Sequence, residues 1–270
     1  MKTFLVPVDF SDTSKNAAHY AAQLAAGIQD AQIILYNASD KVHSISEGND
    51  GASRKNVSSN ELELLKKELN SSGTSNITFI AEEGALVANL EKFVESHNID
   101  LIVMGITGSS RLTQVFMGTN TLNVIKHVKT PVIIVPPDAK FTSISNVLMI
   151  SDFKDVANTT PFAEIRTILD LFKPNLHIVN VDSEHYIELT EEYKKERAVM
   201  ISQLGDYNPE FSFLRLFDFL DGVNTFAETK NIDAILTIPK KHNFLSALFQ
   251  VSHTKKLAYH SHVPIIAVHQ

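Results

Sequence analysis

The stretch Asn98-Ile99-Asp100-Leu101-Ile102-Val103 returns later in the chain as Asn231-Ile232-Asp233-Ala234-Ile235-Leu236. Both versions pass from polar residues into an apolar run. Such a run is typical of a strand that is buried on both faces of a parallel sheet. Because the same strand occurs twice in one chain, the sequence predicts two copies of one domain.

Two copies of a domain should share other strands, and three further pairs of matching segments occur in the same order. In the first two pairs, the matching segments are separated by the same number of residues. In the third pair and in the pair that begins at Asn98 and Asn231, this separation is about ten residues shorter. The extra residues of the first copy therefore lie near Ser39–Asn60, which is polar and predicts a loop. The three pairs are Val6–Asp12 with Met149–Asp155, Ile34–Ala38 with His177–Val181, and Thr130–Val135 with Val263–Val268.

The sequence thus predicts two domains, residues 1–140 and 141–270, joined near Pro136–Lys140. Short apolar runs alternate with amphipathic helical patterns, which indicates an α/β fold with two doubly wound domains. Ligands of such sheets bind at the carboxyl ends of the strands, where the strand order reverses. Ser11 or Asp12 is the expected N-cap of the first helix. The predicted strands are Leu5–Asp9, Gln32–Ala38, Ile77–Ala81, Leu101–Gly105 and Val132–Pro136, and the predicted helices are Thr13–Ile28, Glu61–Leu69, Leu86–Ser96 and Thr121–Val128.

Composition narrows the class of protein. The formal net charge is −7 and the basic residues are scattered, so we expect no nucleic-acid partner. The absence of Cys excludes disulfides and thiolate metal sites. The N-terminus lacks the features of a signal peptide, and no apolar stretch approaches the roughly 20 residues of a membrane span. We therefore expect a cytoplasmic protein without membrane contact.

Three glycines, Gly105, Gly108 and Gly118, lie in the connection that follows the fourth predicted strand. Glycine allows backbone N–H groups to approach an anion, and a helix that opens at Gly118-Thr119-Asn120 would add its positive dipole end. An equally good interpretation is that the glycines only form a tight turn and a helix start. The spacing is neither that of a Walker loop nor that of a dinucleotide-binding turn.

This glycine spacing resembles the nucleotide-binding signature of the universal stress protein family: Gly105-x-x-Gly108, followed by nine residues and then Gly118-Thr119. Val6–Asp9, Glu82-Glu83-Gly84 and Thr130–Val135 also match its pattern. The resemblance implies a five-stranded parallel sheet in the order 3-2-1-4-5, with helices on both faces. It also implies an adenine nucleotide, ATP or AMP, with or without Mg²⁺. The implied site residues are Pro7, Val8, Asp9, Ala38, Met104, Gly105, Thr107, Gly108, Gly118, Thr119 and Asn120.

Each of these residues takes its role from its position in the resemblance. The backbone of Pro7 and Val8 and the side chain of Asp9 would lie against the adenosine. Ala38 would lie against the adenine. Met104 and Gly105 would border the ribose, and Gly108, Gly118, Thr119 and Asn120 would surround the phosphates. Two alternatives stay open, because Asp9 can equally serve as a helix cap, and packing alone can account for Ala38, Met104 and Thr107.

The second copy departs from the signature. Ile238, Lys241 and Val251 replace the three glycines, and Ser252 lies opposite Thr119. We therefore predict a degenerate second domain that binds no nucleotide in the family's manner, with Asp152 as a helix cap. Five histidines near the C-terminus lack a clear ligand spacing, so we expect surface histidines and no metal site. They are His242, His253, His260, His262 and His269.

The resemblance implies a stress-response sensor or regulatory module that binds an adenine nucleotide and has a protein partner of unknown identity. Two alternatives stay open: a weak ATPase, and an interaction scaffold that needs no nucleotide. The resemblance further implies pairing through the fifth strands. We therefore expect an intramolecular pseudo-dimer formed by Val132–Val135 and Ile265–Val268, with a further homodimer left open.

Overall fold

The computed structural model describes residues 1–39, 50–70, 76–106, 119–181, 190–214, 219–239 and 263–269. The chain divides into two compact units, Met1–Thr142 and Ser143–Gln270. None of the helices in the described ranges combines the length and the apolar character that a bilayer crossing requires.

In the first unit, strands and helices alternate along the chain. The strands β1, β4 and β5 are buried almost throughout, as expected for a parallel sheet that is covered by helices. The elements are β1 (Lys2–Pro7), α1 (Asp12–Ala26), β2 (Ala31–Ser39), α2 (Asp50–Asn70), β3 (Ile77–Glu83), α3 (Leu86–Ser96), β4 (Leu101–Gly105), α4 (Thr119–His127) and β5 (Val132–Val135).

The strands of the first unit lie in the order β3-β2-β1-β4-β5, and the neighbours within this unit are parallel. The predicted α/β class and parallel sheet are therefore confirmed. From β1 the chain moves outward to β2 and β3, and then returns to the other side of β1 for β4 and β5. The order thus reverses between β1 and β4, and a ligand crevice is expected at the carboxyl ends of these two strands.

The helix α1 begins at the predicted cap. The Ser11 side chain accepts a hydrogen bond from the Ser14 N–H at 3.3 Å, which satisfies a donor that has no partner within the helix. Ala17, Ala21 and Leu24 recur at helical spacing and are buried. Their mostly small side chains allow the helix to lie close to the sheet.

The helix α2 shows that the loop predicted for Ser39–Asn60 is wrong for residues 50–60, while residues 40–49 lie outside the described residues. The helix begins at Asp50, so residues 50–60 are helical although they are rich in Ser, Asn and Gly. Leu62, Leu65 and Leu69 bury one face of the helix. This tertiary packing outweighs the low helix propensity of the residues that precede it.

The segment predicted as a linker folds onto the first unit. The Nδ2 of Asn16 in α1 donates to the carbonyls of Pro136 and Ala139, at 3.1 and 3.0 Å. The ring of Phe141 packs edge-on against Tyr20, with the ring centroids 5.2 Å apart. These contacts explain why the first unit extends to Thr142.

The second unit repeats this arrangement of strands. Its strands lie in the order β8-β7-β6-β9-β10, and the neighbours are again parallel. The elements are β6 (Asn146–Ile150), α5 (Val156–Thr159), α6 (Phe162–Phe172), β7 (Asn175–Val181), α7 (Glu191–Leu204), β8 (Glu210–Leu214), α8 (Phe219–Thr229), β9 (Ala234–Thr237) and β10 (Ile265–Ala267).

Individual hydrogen bonds recur at matching positions of the two units. In the first unit the Asp100 carboxylate accepts from the Thr3 N–H at 2.8 Å, and in the second the Asp233 carboxylate accepts from the Asn146 N–H at 2.9 Å. Both aspartates belong to the repeated stretch in which the duplication is clearest. Two backbone bonds recur in the same way: Val8 N–H to Tyr36 O with Ser151 N–H to Val179 O, and Ile102 N–H to Pro131 O with Ile235 N–H to Pro264 O.

The two units differ in the connection that follows their first strand. In the first unit this connection contains the single helix α1. In the second, the short α5 ends at Thr159 and α6 begins at Phe162. Thr160 between them is extended, which is the conformation favoured by a residue that precedes proline, here Pro161.

A histidine with a lowered pKa lies in the second unit. His177 is largely buried, and its Nδ1 lies 3.1 Å from the Glu210 carboxylate, which also accepts from Lys230 at 2.7 Å. Burial, and secondly the positive charge of Lys230, lower the pKa of His177, while Glu210 opposes that shift. The folded state therefore favours the neutral imidazole, and the ring of Phe226 packs edge-on against it.

This lowered pKa predicts a loss of stability at acidic pH. As the pH falls below the ordinary histidine value of about 6.5, the unfolded chain takes up the proton more readily than the folded one, so stability decreases. His177→Gln removes this linkage. We expect the melting temperature, followed by circular dichroism, to fall less between pH 7.5 and pH 5.5 in His177→Gln than in the wild type. The exposed His127 supplies the control, since an equal effect of His127→Gln would contradict the assignment.

Candidate functional site

The candidate site lies at the carboxyl ends of β1 and β4 in the first unit, where the strand order reverses. The chain leaves β1 through Val8 and Asp9 and enters α1. Pro7 and Val8 are buried and Asp9 is exposed. Of these three predicted site residues, Asp9 presents an exposed carboxylate, whereas the N–H and the carbonyl of Val8 are bonded to Tyr36 and Asn37.

Asp9 shapes the turn that precedes α1. Its Oδ1 accepts from the backbone N–H and from the hydroxyl of Ser11, and its own N–H donates to the Ser14 hydroxyl at 3.3 Å. Phe10 between them has a φ of 64°, a left-handed conformation that is unusual for a large side chain. The alternative prediction of Asp9 as a helix cap is therefore wrong, because Ser11 is the cap and Asp9 holds Ser11 in place.

Gly105, the last residue of β4, is in tight contact with the first turn of α1. A Cβ at this position would lie 2.7 Å from the Thr13 carbonyl oxygen and 3.3 Å from the Ser14 nitrogen. Its backbone is extended, so positive φ is not the reason for glycine here. Gly105 is required because a side chain would push α1 away from the end of β4.

The first turn of α4 contacts the same glycine. The Thr121 hydroxyl is buried and donates to the Gly105 carbonyl at 3.0 Å. Thr119 and Asn120, the first two residues of α4, are exposed. The N-terminal turns of two helices, α1 and α4, therefore meet at one backbone position. The predicted site residues Thr107, Gly108 and Gly118 lie outside the described residues.

Asn37, near the end of β2, is a polar residue of this edge that the sequence reasoning did not include in the site. Only 6% of its surface is exposed, and its Nδ2 donates to the Val8 carbonyl at 2.7 Å. Within the described ranges, no group donates to its buried Oδ1. An unpaired buried acceptor costs about 1–3 kcal/mol. The available signal in the sequence was a polar residue after four apolar or aromatic ones in a strand.

Ala38 and its neighbours lie on the far side of β2. Ala38 is partly exposed and pairs with Glu82 of β3. Glu82 accepts a hydrogen bond from the hydroxyl of the buried Tyr36. Burial, and then the Glu82 carboxylate, raise the pKa of Tyr36 well above its ordinary value, so the hydroxyl stays a donor at physiological pH. The Tyr36 hydroxyl is thus the donor and the Glu82 carboxylate the acceptor of one hydrogen bond between β2 and β3.

Met104 is a core residue. It is 5% exposed and is the penultimate residue of β4. Its side chain therefore belongs to the packing between sheet and helices, which was the alternative prediction for this position. Any contact that it makes with a ligand has to come from its backbone or from a small part of its side chain.

At the corresponding edge of the second unit, several described groups bond to or pack against one another. Asp152 is exposed and accepts from the Lys154 N–H at 3.2 Å, much as Asp9 does from Ser11. Its prediction as a helix cap is wrong, because the Val156 N–H at the start of α5 donates to the Glu196 carboxylate of α7 at 2.7 Å. Ile238 follows β9 where Gly105 ends β4.

An aromatic cluster also lies in this part of the second unit. Phe153 follows Asp152 and is 4% exposed, and its ring lies 4.8 Å from that of Tyr193 in α7. The Tyr193 ring also lies 4.7 Å from that of Phe213 in β8. In the first unit the corresponding residue, Phe10, is partly exposed.

Metal ligands do not cluster in the part of the chain that the structure describes, where no three His, Asp or Glu side chains could hold an ion together. Of the five C-terminal histidines, only His269 belongs to that part, and it is partly exposed.

Comparisons with known proteins place this architecture in a family. The model of the universal stress protein family matches residues 1–136. Universal stress protein MJ0531 of Methanocaldococcus jannaschii is 29% identical over 143 residues, which cover 52% of this chain and 84% of that protein. Universal stress protein MJ0577 of the same organism is 27% identical over 154 residues, with 50% and 94% covered. The crystal structure of a universal stress protein from Archaeoglobus fulgidus has a TM-score of 0.66 at 18% identity and covers 99% of this chain and 98% of its own. At that identity the likeness shows the shared fold.

The contact between Gly105 and Thr13 predicts that substitution by alanine destabilises the protein more at Gly105 than at Gly27. Gly105→Ala places a methyl group 2.7 Å from a backbone oxygen, so strand or helix has to move, and we expect a loss of about 1–3 kcal/mol in the free energy of unfolding. Gly27→Ala is the matched control, because its Cβ would lie 3.6 Å from the Leu24 carbonyl oxygen, which is an ordinary contact. Urea denaturation followed by circular dichroism suits a chain without Trp. Equal effects of the two substitutions would contradict the packing role of Gly105.

Proposed function

Because the chain belongs to the universal stress protein family, a family of stress-response proteins, we propose that its first unit binds an adenine nucleotide, ATP or AMP. In this proposal, the protein acts as a sensor or regulatory module whose state depends on the bound nucleotide. The second unit is a degenerate copy that binds none.

The observation that carries this proposal is the meeting of two helix N-termini at Gly105. The Thr13 carbonyl and the Ser14 nitrogen of α1 lie against it, and Thr121 of α4 donates to its carbonyl. Helix N-termini present free backbone N–H groups and a positive dipole end, so anions bind there. Their meeting at the point where the strand order reverses supports a site for a phosphorylated ligand.

The described residues fit an adenine nucleotide. Thr119 and Asn120 are exposed at the start of α4 and would donate to phosphate oxygens, together with the backbone of the glycine signature. Asp9 is exposed and would accept from ribose hydroxyls. Asn37 keeps one buried amide oxygen without a donor in the described part of the chain, which is the kind of acceptor that an adenine amino group satisfies. A Mg²⁺ ion would bind to the phosphates and not to the protein side chains described.

We propose binding without a dedicated catalytic apparatus. Phosphoryl transfer needs a carboxylate that positions a metal or a nucleophile. In the described part of the candidate site, Asp9 is the carboxylate next to the crevice, and its Oδ1 already accepts twice from Ser11. Its structural role in the turn supports recognition of a hydroxyl more than base catalysis.

Three features support the loss of the site in the second unit. The Glu196 carboxylate accepts from the N-terminal turn of α5, so an internal anion lies where an external one would bind. Phe153 is buried against Tyr193. Ile238 replaces Gly105, and its side chain would exclude the close approach that α1 makes in the first unit.

Calorimetric titration of the full chain with ATP tests the proposal. We expect one site per chain. Asp9→Ala should lower the affinity by about tenfold or more, the effect of losing one hydrogen bond to a charged group. Asp152→Ala is the matched control, because Asp152 is exposed and accepts from a backbone N–H two residues later, as Asp9 does. It should leave the affinity unchanged.

Other results would favour the alternatives. Two equivalent sites per chain, or an equal loss in Asp152→Ala, would contradict the assignment of the site to the first unit. No uptake of nucleotide would favour a nucleotide-independent scaffold. ATP turnover clearly above that of Gly118→Val would favour a weak ATPase.

A further inference from the structure

The strands β1 and β2 separate at the edge where the candidate site lies. Their paired register ends at Pro7 and Tyr36, and one more backbone bond follows, from the Val8 N–H to the Tyr36 carbonyl at 2.8 Å. Asn37 comes next on β2. Its side chain, through the 2.7 Å bond from Nδ2, holds the Val8 carbonyl just before the exposed Asp9.

This bond fixes the orientation of the Asn37 amide. A carbonyl oxygen can only accept, so the amide nitrogen has to face Val8 and the amide oxygen has to point elsewhere. Asn37 Oδ1 is buried, and no donor in the described ranges reaches it. A buried acceptor in this condition is unfavourable unless a donor arrives from outside the protein.

The hydroxyl groups nearby along the chain already have partners. The Tyr36 hydroxyl donates to Glu82, and the Ser14 hydroxyl donates to the Ser11 carbonyl at 3.0 Å. Neither is free to turn toward Asn37. Asn37 Oδ1 therefore keeps an unused acceptor beside the carboxyl ends of β1 and β2.

The corresponding residue of the second unit is Asn180. It matches Asn37 in the repeat and is similarly buried, with 7% of its surface exposed. Asn180 therefore offers a matched position for a control variant.

We propose that Asn37 is a specificity-determining residue that selects 6-aminopurine nucleotides. Its Oδ1 accepts a hydrogen bond from the exocyclic amino group of the base and repels a carbonyl oxygen at the same ring position, as in inosine and guanosine nucleotides. This inference rests on the proposed function, and it names the group of the protein that recognises the base.

The test compares ATP with inosine 5′-triphosphate, which carries a carbonyl where ATP carries the amino group. On the full chain we expect calorimetry to show a preference for ATP of about tenfold or more, the effect of one hydrogen bond. In Asn37→Val the preference should fall to within about threefold. Asn180→Val is the matched control and should keep the wild-type preference.

A second measurement needs no variant. Purine riboside 5′-triphosphate lacks the amino group and carries nothing in its place. The wild-type protein should bind it about tenfold more weakly than ATP, even if Asn37→Val fails to fold.

The outcomes separate this inference from the proposed function. A wild-type protein that binds ATP but does not distinguish it from the other two nucleotides overturns the role of Asn37 alone. An Asn37→Val protein that binds ATP with the wild-type preference does the same. A wild-type protein that binds none of the three nucleotides overturns the proposed function and this inference together.

Discussion

The close contact between Gly105 and the Thr13 carbonyl is the constraint on which the first unit depends. A Cβ at position 105 would lie 2.7 Å from that oxygen, so the end of β4 and the start of α1 can be this close only without a side chain. Thr121 then attaches α4 to the same residue. One backbone position thus brings together two helix starts beside the exposed Asp9. In the second unit Ile238 stands at this position, and two helices with an intervening break replace α1.

Polar groups at this edge fall into two classes. Most form hydrogen bonds within the protein: Ser11 caps α1, Asp9 accepts from Ser11, and Tyr36 donates to Glu82. These bonds hold the side chains that make them in defined positions. Asn37 belongs to the other class, since its amide oxygen is oriented by Val8 and has no donor in the described part of the chain. An oriented acceptor of this kind favours a ligand that donates.

The α/β class of the first unit could be predicted from the sequence, because its strands are apolar runs and its helices show a clear spacing of buried residues. The strand order was predicted from the resemblance to the universal stress protein family. Asp100 and Asp233 accept equivalent hydrogen bonds in the two units, which explains why the repeat can be recognised in the sequence. The extent of α2 was not predictable from local propensity, since tertiary packing of its leucines decides it. For Gly105, the sequence left open whether the glycine serves an anion or only forms a tight turn, whereas the structure shows a steric reason that depends on Thr13, far away in sequence. Asn37 was missed because an unpaired amide oxygen is a property of three-dimensional packing.

We propose that the first unit of this universal stress protein holds an adenine nucleotide. Mass spectrometry of the small molecules released when the purified full chain is denatured, before and after incubation with ATP and removal of the excess, tests it most directly. We expect an adenine nucleotide in an amount close to one per chain. Protein that releases no adenine nucleotide under either condition would contradict it.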